Sequence, residues 1–302
     1  MDWEDWLRTA AKRPSDHEDD KRDRTEREIS DALAASDALS GRPYRVYAKG
    51  SYANNTNVRL NYDVDIAVEY YGYFYSDLVL DLAGHDKSEV GVVTSDDPYS
   101  RAEFKADVRA ALESAFGASA VEPGRIALRI RERKTTLPAD VVPSWEYRRY
   151  DGFRQNGDPI VHIGSRVYPS SGGFINNFPA QQLANGRLKT DATARRYKRM
   201  VRCLKKLQTK LVSDGVLDSE LPSYLIECLV YNVPAGTFGD DSYLEDFRGV
   251  VGYIWSETRD DGGWNDWHEV HELRYLFRGA KDWSRQDAHR LADKAWDAVG
   301  LG

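Results

Sequence analysis

Two features of the chain combine residue types that handle phosphate and metal. Gly50-Ser51 offers a turn whose backbone can approach a phosphate closely, with a hydroxyl and an N–H beside it. Shortly after it comes Asp63-Val64-Asp65. Side chains alternate along a strand, so these two carboxylates share one face and can reach the same hard divalent cation. Asp140 lies in a second strand-like run and can bring a third carboxylate to the pair. Three carboxylates of this kind can hold two Mg²⁺ ions, or Mn²⁺ in their place. One ion bridges a triphosphate and the other acidifies an attacking hydroxyl, the arrangement for in-line nucleotidyl transfer. No G-x-x-x-x-G-K-[ST] occurs, so the phosphate-loop ATPase reading fails.

The elements around these residues follow from pattern. A charged helix is expected from Asp16 to Leu39, stopped by Gly41-Arg42-Pro43, then a strand over Tyr44–Ala48. The next expectations are a strand over Tyr62–Tyr71, a helix over Tyr99–Phe116, a strand through Ile126, Leu128 and Ile130, and one from Leu137 to Val142 closed by Pro143. Gly, Pro, Ser and Asn dominate Tyr150–Gly186, which reads as loops and a lobe boundary. Beyond it the chain is mainly helical. Thr193–Ser213 carries Tyr197, Val201, Leu204, Leu207 and Leu211 at helical spacing, with Arg195, Lys198, Arg202 and Lys205 along a basic face. Further helices are expected over Leu221–Tyr231, opened by Pro222, and over Asp241–Trp255 and Ser284–Val299.

Composition narrows the classes. With 302 residues, 41% hydrophobic and 30% charged, the chain can build two lobes and is not disordered. Cys203 and Cys228 are too few for a disulfide framework or a four-cysteine zinc site and read as reduced core residues. The N-terminus lacks a secretion signal and no apolar run is long enough to span a bilayer, so a cytoplasmic protein without a membrane partner is expected. A net charge of −7 argues against a protein that coats nucleic acid, although ten cations against one aspartate crowd Arg187–Lys210. His268-Glu269-Val270-His271 misses the zinc-protease spacing and reads as structural, and Trp255, Trp264, Trp267 and Trp283 read as core.

Gly50-Ser51, Asp63-Val64-Asp65 and Asp140-Val141-Val142-Pro143 together resemble the signature of the polymerase-β-like nucleotidyltransferase superfamily. Lys205 in a basic helix, followed by Leu221-Pro222-Ser223-Tyr224-Leu225-Ile226-Glu227, is similar to the cyclic GMP-AMP synthase and bacterial CD-NTase families. The resemblance runs from about Lys49 to Tyr231. It implies an α+β fold with a two-lobed nucleotidyltransferase core, a mixed sheet with helices, and a mainly helical C-terminal lobe. The division expected is an N-terminal helical segment over 1–40 packing across the lobes, a catalytic core over 41–165 and a helical nucleotide-binding lobe over 166–302.

The resemblance further implies that Asp63, Asp65 and Asp140 are catalytic metal ligands. Gly50, Ser51, Lys205 and Ser223 would hold the triphosphate, Tyr224 would stack on a base, and Asn177 would read a base edge. The implied substrates are ATP and other nucleoside triphosphates, and the implied product is a cyclic di- or trinucleotide messenger for an effector protein in anti-phage signalling. The zinc ribbon of the animal enzyme has no counterpart between Tyr150 and Arg195, which argues against activation by DNA. The chain ends in Gly302, and in part of the bacterial branch a ubiquitin-transfer-like partner conjugates the C-terminus. Two other readings stay open on the residues alone: transfer of one nucleotide to a protein, RNA or small molecule, and a non-catalytic nucleotide or RNA sensor.

Overall fold

A computed structural model describes residues 1–13, 15–58 and 64–300. In chain order the elements are α1 (Trp3–Ala10), α2 (Asp16–Ala34), β1 (Tyr44–Ala48), α3 (Gly50–Ala53), β2 (Val64–Leu78), α4 (Arg101–Phe116), β3 (Val121–Pro123), β4 (Leu128–Ile130) and β5 (Ala139–Phe153). They continue with β6 (Pro159–Val167), β7 (Ile175–Asn177), α5 (Pro179–Ala192), α6 (Tyr197–Ser213), α7 (Ser223–Asn232), α8 (Tyr243–Glu257) and α9 (Arg285–Ala298). The fold is α+β with a mixed sheet, as the motifs implied. Its residues form two compact units that interleave along the chain. One takes Asp16–Gly50 and Tyr62–Ala180, and the other takes Met1–Ser15, Ser51–Asn61 and Gln181–Gly302.

The first unit is built on the sheet, ordered β1-β2-β5-β4-β3, with β6 and β7 continuing from β5. β2 and β5 run parallel, while β1 on β2 and β4 on β5 are antiparallel. β2 reads as a near-continuous apolar run because Val64, Ile66, Ala67, Val68 and Tyr70 are all buried. Ile29 and Leu33 of α2 and Phe104, Val108 and Leu112 of α4 are buried in this unit, each worth roughly 1.5–3 kcal/mol of burial. A Ser100–Glu103 capping box starts α4, and Gly117 follows its last residue.

Three expectations need correction here. Pro143 does not close the strand, because β5 runs on to Phe153. Proline is tolerated there because the β4 register ends at Val141 and the β6 register begins at Trp145, so no partner faces Pro143 on that side. The expected loop region instead contributes the β5–β6 hairpin, β7 and α5. The hairpin turns at Asn156-Gly157, with Gly157 at φ 87° and the Arg154 N–H donating to the Asp158 carbonyl at 2.8 Å. The expected first helix ends at Ala34, and only a short 3-10 turn covers Asp37–Leu39.

The second unit is helical. Leu7 of α1, Val201, Leu204 and Leu207 of α6, Leu225 and Leu229 of α7, Phe247 and Val251 of α8 and Leu291 of α9 share one buried cluster. Cys203 and Cys228 are free thiols inside it, in keeping with the sequence. The tryptophans divide: Trp267 is buried, Trp283 packs against the cluster, and Trp255 is 37% exposed with its ring stacked on His289. None of the described helices is long and apolar enough to cross a membrane.

Candidate active site

In the sheet unit, Asp65 lies on β2 and Asp140 on β5, and the two are direct register partners on adjacent parallel strands. Partners of this kind point to the same face, so their carboxylates stand side by side. Gly50 makes room for them. Its φ is +68°, and a Cβ there would overlap Asp65 Oδ2 and stand 2.9 Å from Asp65 Cγ. Both the backbone conformation and the close approach therefore require glycine. The Lys49 N–H donates to the Asp65 carbonyl at 2.9 Å, joining the end of β1 to β2.

Two basic side chains attend these carboxylates, and the motifs did not indicate either. Burial lowers the pKa of the Lys49 ammonium, against the opposing pull of Asp65 and Asp140. Arg129 of β4, the register partner of Asp140, donates Nε to Asp140 Oδ1 at 3.3 Å. The alternation of Ile126, Leu128 and Ile130 with Arg129 was the only signal that could have found it. Paired hard oxygen donors and a glycine clearance fit a divalent cation. Among the described residues no group of three metal-ligating side chains forms. Asp63, expected as the third carboxylate, lies outside the described residues.

The helical unit gathers a different part of the expected set. Ser51, Lys205 and Ser223 line one cleft of about 770 Å³, together with Asn57, Lys206 and Lys210. Ser223 is the first residue of α7, after Pro222 as N-cap, so free N–H groups of the helix start lie close to its hydroxyl. Lys210 is paired with Asp214 at 2.7 Å. Lys205 is 6% exposed and donates Nζ to the Thr56 carbonyl at 3.1 Å. Burial lowers its pKa, opposed by Glu227.

Glu227 organises this region, and only its place at the end of the Leu221–Glu227 motif hinted at it. Its carboxylate accepts from Thr56 Oγ1 at 2.8 Å and from Gln182 Nε2 at 3.0 Å. Thr56 in turn donates its N–H to the Ser51 carbonyl at 2.9 Å. A buried glutamate thus fixes the loop that carries Ser51 and the carbonyl that receives Lys205. The whole cation row along α6 is not solvated, since Arg202 is also buried.

Tyr224 does not line the cleft. It is half-buried, its hydroxyl donates to Glu269 Oε2 at 3.1 Å, and its ring meets Trp283 edge-on at 6.4 Å. Glu269 also takes His271 Nε2 at 3.0 Å, Arg274 Nη2 at 3.1 Å and the Lys281 ammonium. The His268–His271 segment is therefore tied into an ion cluster beside Tyr224. Asn177 ends β7 in the sheet unit, half-buried and paired with Ser165. Gly164 packs so closely on the Asn177 carbonyl that a Cβ would collide with it. Gly302 lies outside the described residues.

Comparison with known proteins covers residues of both units. Residues 184–300 match the family model of the cGAS/DncV-like nucleotidyltransferase C-terminal helical domain. The chain is 37% identical over 296 residues to the cyclic dipyrimidine nucleotide synthase CdnE of Cecembia lonarensis, covering 97% of each. The structure of Rhodothermus marinus CdnE c-UMP-AMP synthase with Apcpp and Upnpp superposes with a TM-score of 0.82 at 29% identity, covering 99% of this chain and 98% of that one. Elizabethkingia meningoseptica CdnE cyclic dinucleotide synthase with GTP and Apcpp gives 0.79 at 32% identity over 98% of both. Near-complete coverage at this identity extends from the carboxylate strands to the last helix, and the chain belongs to the CD-NTase family of cGAS/DncV-like nucleotidyltransferases.

Proposed function

We propose that the protein condenses two nucleoside triphosphates into a cyclic dinucleotide. The observation that carries this reading is the in-register Asp65–Asp140 pair with its clearance at Gly50. Asp65 and Asp140, with Asp63, would hold Mg²⁺, which when bound neutralises triphosphate charge and acidifies the acceptor ribose hydroxyl. Asp140 assists removal of that hydroxyl's proton. The hydroxyl oxygen bonds to the donor α-phosphorus as the bond to pyrophosphate breaks, and a second such step closes the ring. Ser51, Lys205 and Ser223 hold the departing phosphates in line, with the Lys205 ammonium and the start of α7 supplying positive charge. Tyr224 supports a base and Asn177 reads a base edge.

The named relatives differ in product, one a cyclic dipyrimidine nucleotide synthase and another a c-UMP-AMP synthase, so base choice varies among them. The product would act in the cytoplasm on an effector protein in anti-phage defence. Incubation with labelled ATP, GTP, CTP and UTP plus Mg²⁺, then phosphatase and mass spectrometry, tests the reading. A phosphatase-resistant cyclic product is expected, and its mass identifies the bases. A labelled macromolecule would instead make the protein a single-nucleotide transferase. Asp65→Asn and Asp140→Asn should each lower turnover by roughly 10³-fold or more while leaving the melting temperature within a few degrees.

A further inference from the structure

A second concentration of positive charge lies in the helical unit, in a hollow of about 390 Å³. Lys12 and Arg13 border it from the segment after α1, and Arg195, Lys198, Arg199 and Arg202 border it from the start of α6. No carboxylate lines it among the described residues. Arg8 also reaches the hollow, but its charge is met by Glu4 at 2.6 Å. In a chain of net charge −7, such a cluster does not follow from bulk composition.

The backbone brings these cations together at a cost. Ala194 and Arg195 both have left-handed φ, 46° and 65°, in the turn between α5 and α6. Each such non-glycine residue costs about 1–2 kcal/mol. The turn is held by the Arg195 N–H donating to the Thr190 carbonyl at 2.8 Å, and it sets Arg195 directly before the row Lys198, Arg199 and Arg202. Arg202, 3% exposed, donates Nε to the Ala11 carbonyl at 2.8 Å and Nη1 to the Asn55 carbonyl at 2.6 Å, so neutral acceptors satisfy its hydrogen bonds and leave its charge uncompensated. Burial lowers the pKa of Lys198. Glu227 opposes the shift, and Arg187, Arg13 and Arg202 add to it. A multiply charged anion would relieve this mutual repulsion.

We propose that this hollow is a binding site for a phosphate-bearing polyanion, separate from the cleft lined by Ser51, Lys205 and Ser223. Guanidinium forks match phosphate oxygens two at a time, and four arginines besides Arg8, with two lysines, surround a space sized for a few phosphate groups. Two sources share that chemistry: a free oligophosphate and the phosphodiester backbone of a single-stranded RNA. The site does not depend on the reaction proposed above, because its ligand contacts none of the residues given roles there.

The test is a lysine footprint on the full-length protein. Acetylation of Lys12 and Lys198 is followed by mass spectrometry with and without sodium tripolyphosphate, and separately with a short single-stranded RNA, at matched ionic strength. Exposed Lys134 of the sheet unit serves as the internal reference. Either ligand should slow labelling of Lys12 and Lys198 about tenfold relative to Lys134, with the protection fading steeply as salt rises. Protection by tripolyphosphate assigns the free anion, and protection by RNA alone assigns the backbone. The Arg13→Glu/Arg195→Glu variant changes two exposed side chains and should abolish the protection without changing the circular dichroism. Equal labelling rates with both ligands in the unaltered protein, or protection that survives the charge reversal, would overturn the proposal.

Discussion

At the scale of single residues, Gly50 has the most constrained position in the site. Its left-handed backbone and the overlap of any Cβ with the Asp65 carboxylate act together. Gly50→Ala should therefore push Asp65 out of register with Asp140. Turnover should fall by roughly 10²-fold, because misplacing a reacting group by about 1 Å costs that much. The backbone strain itself is about 1–2 kcal/mol, a melting shift of only a few degrees at this size. Steady-state kinetics and a thermal melt on one sample check both, and a large loss of stability with intact specific activity would contradict the assignment. Gly50, Asp65 and Asp140 were legible as candidates from their spacing, and the structure brings them together. Lys49 and Arg129 were not, since each matters only through a neighbour that the sheet brings beside it.

At the scale of elements, the strands beside the carboxylates and the long helices followed from period, and the hairpin did not. Pro143 reads as a strand stop unless the gap between β4 and β6 is known, and Asn156-Gly157 was submerged in a stretch of loop-like composition. The Glu269 cluster makes an element-level prediction about acid. Burial alone would raise the Glu269 pKa, but His271, Arg274 and Lys281 outweigh it and hold it at about 2, against 4.5 when free. His271 is lowered from 6.5, mainly by burial, despite the raising effect of Glu269. Both folded values lie below the unfolded ones, so both groups contribute stability at neutral pH and lose it on acidification. The His271 contribution begins to decline near its free value, and that of Glu269 declines between about pH 4.5 and 2. The Glu269 share is on the order of 3 kcal/mol. Denaturant melts of the wild type and Glu269→Gln at pH 7 and pH 3 should show a variant that is less stable at pH 7 and much less sensitive to the drop. Parallel pH profiles would contradict the cluster's role.

At the scale of the whole molecule, the helical unit depends on chain far away in sequence. Leu7, Ala10 and Ala11 pack in the same cluster as α6–α9, and Thr56 bonds to Glu227. A fragment spanning 181–302 should therefore melt well below the intact protein, since exposing the Leu7 site alone costs about 2–5 kcal/mol. A synthetic 1–15 peptide added in trans should raise its melting temperature in a concentration-dependent way. A fragment as stable as the full chain, or indifferent to the peptide, would refute the interleaving. The sequence by itself determined the α+β class and named the candidate carboxylates, glycine turn, lysine and serine, because motif spacing and hydrophobic period are local properties. Only the tertiary structure decided what each of those residues rests on. Asp65 faces Asp140 through strand register, Lys205 meets the Thr56 carbonyl through a buried glutamate far along the chain, and the cations around Arg195 converge through a strained turn. Hydrophobic period shows which face of an element is buried but not against what, and it is this long-range pairing that brings the residues together.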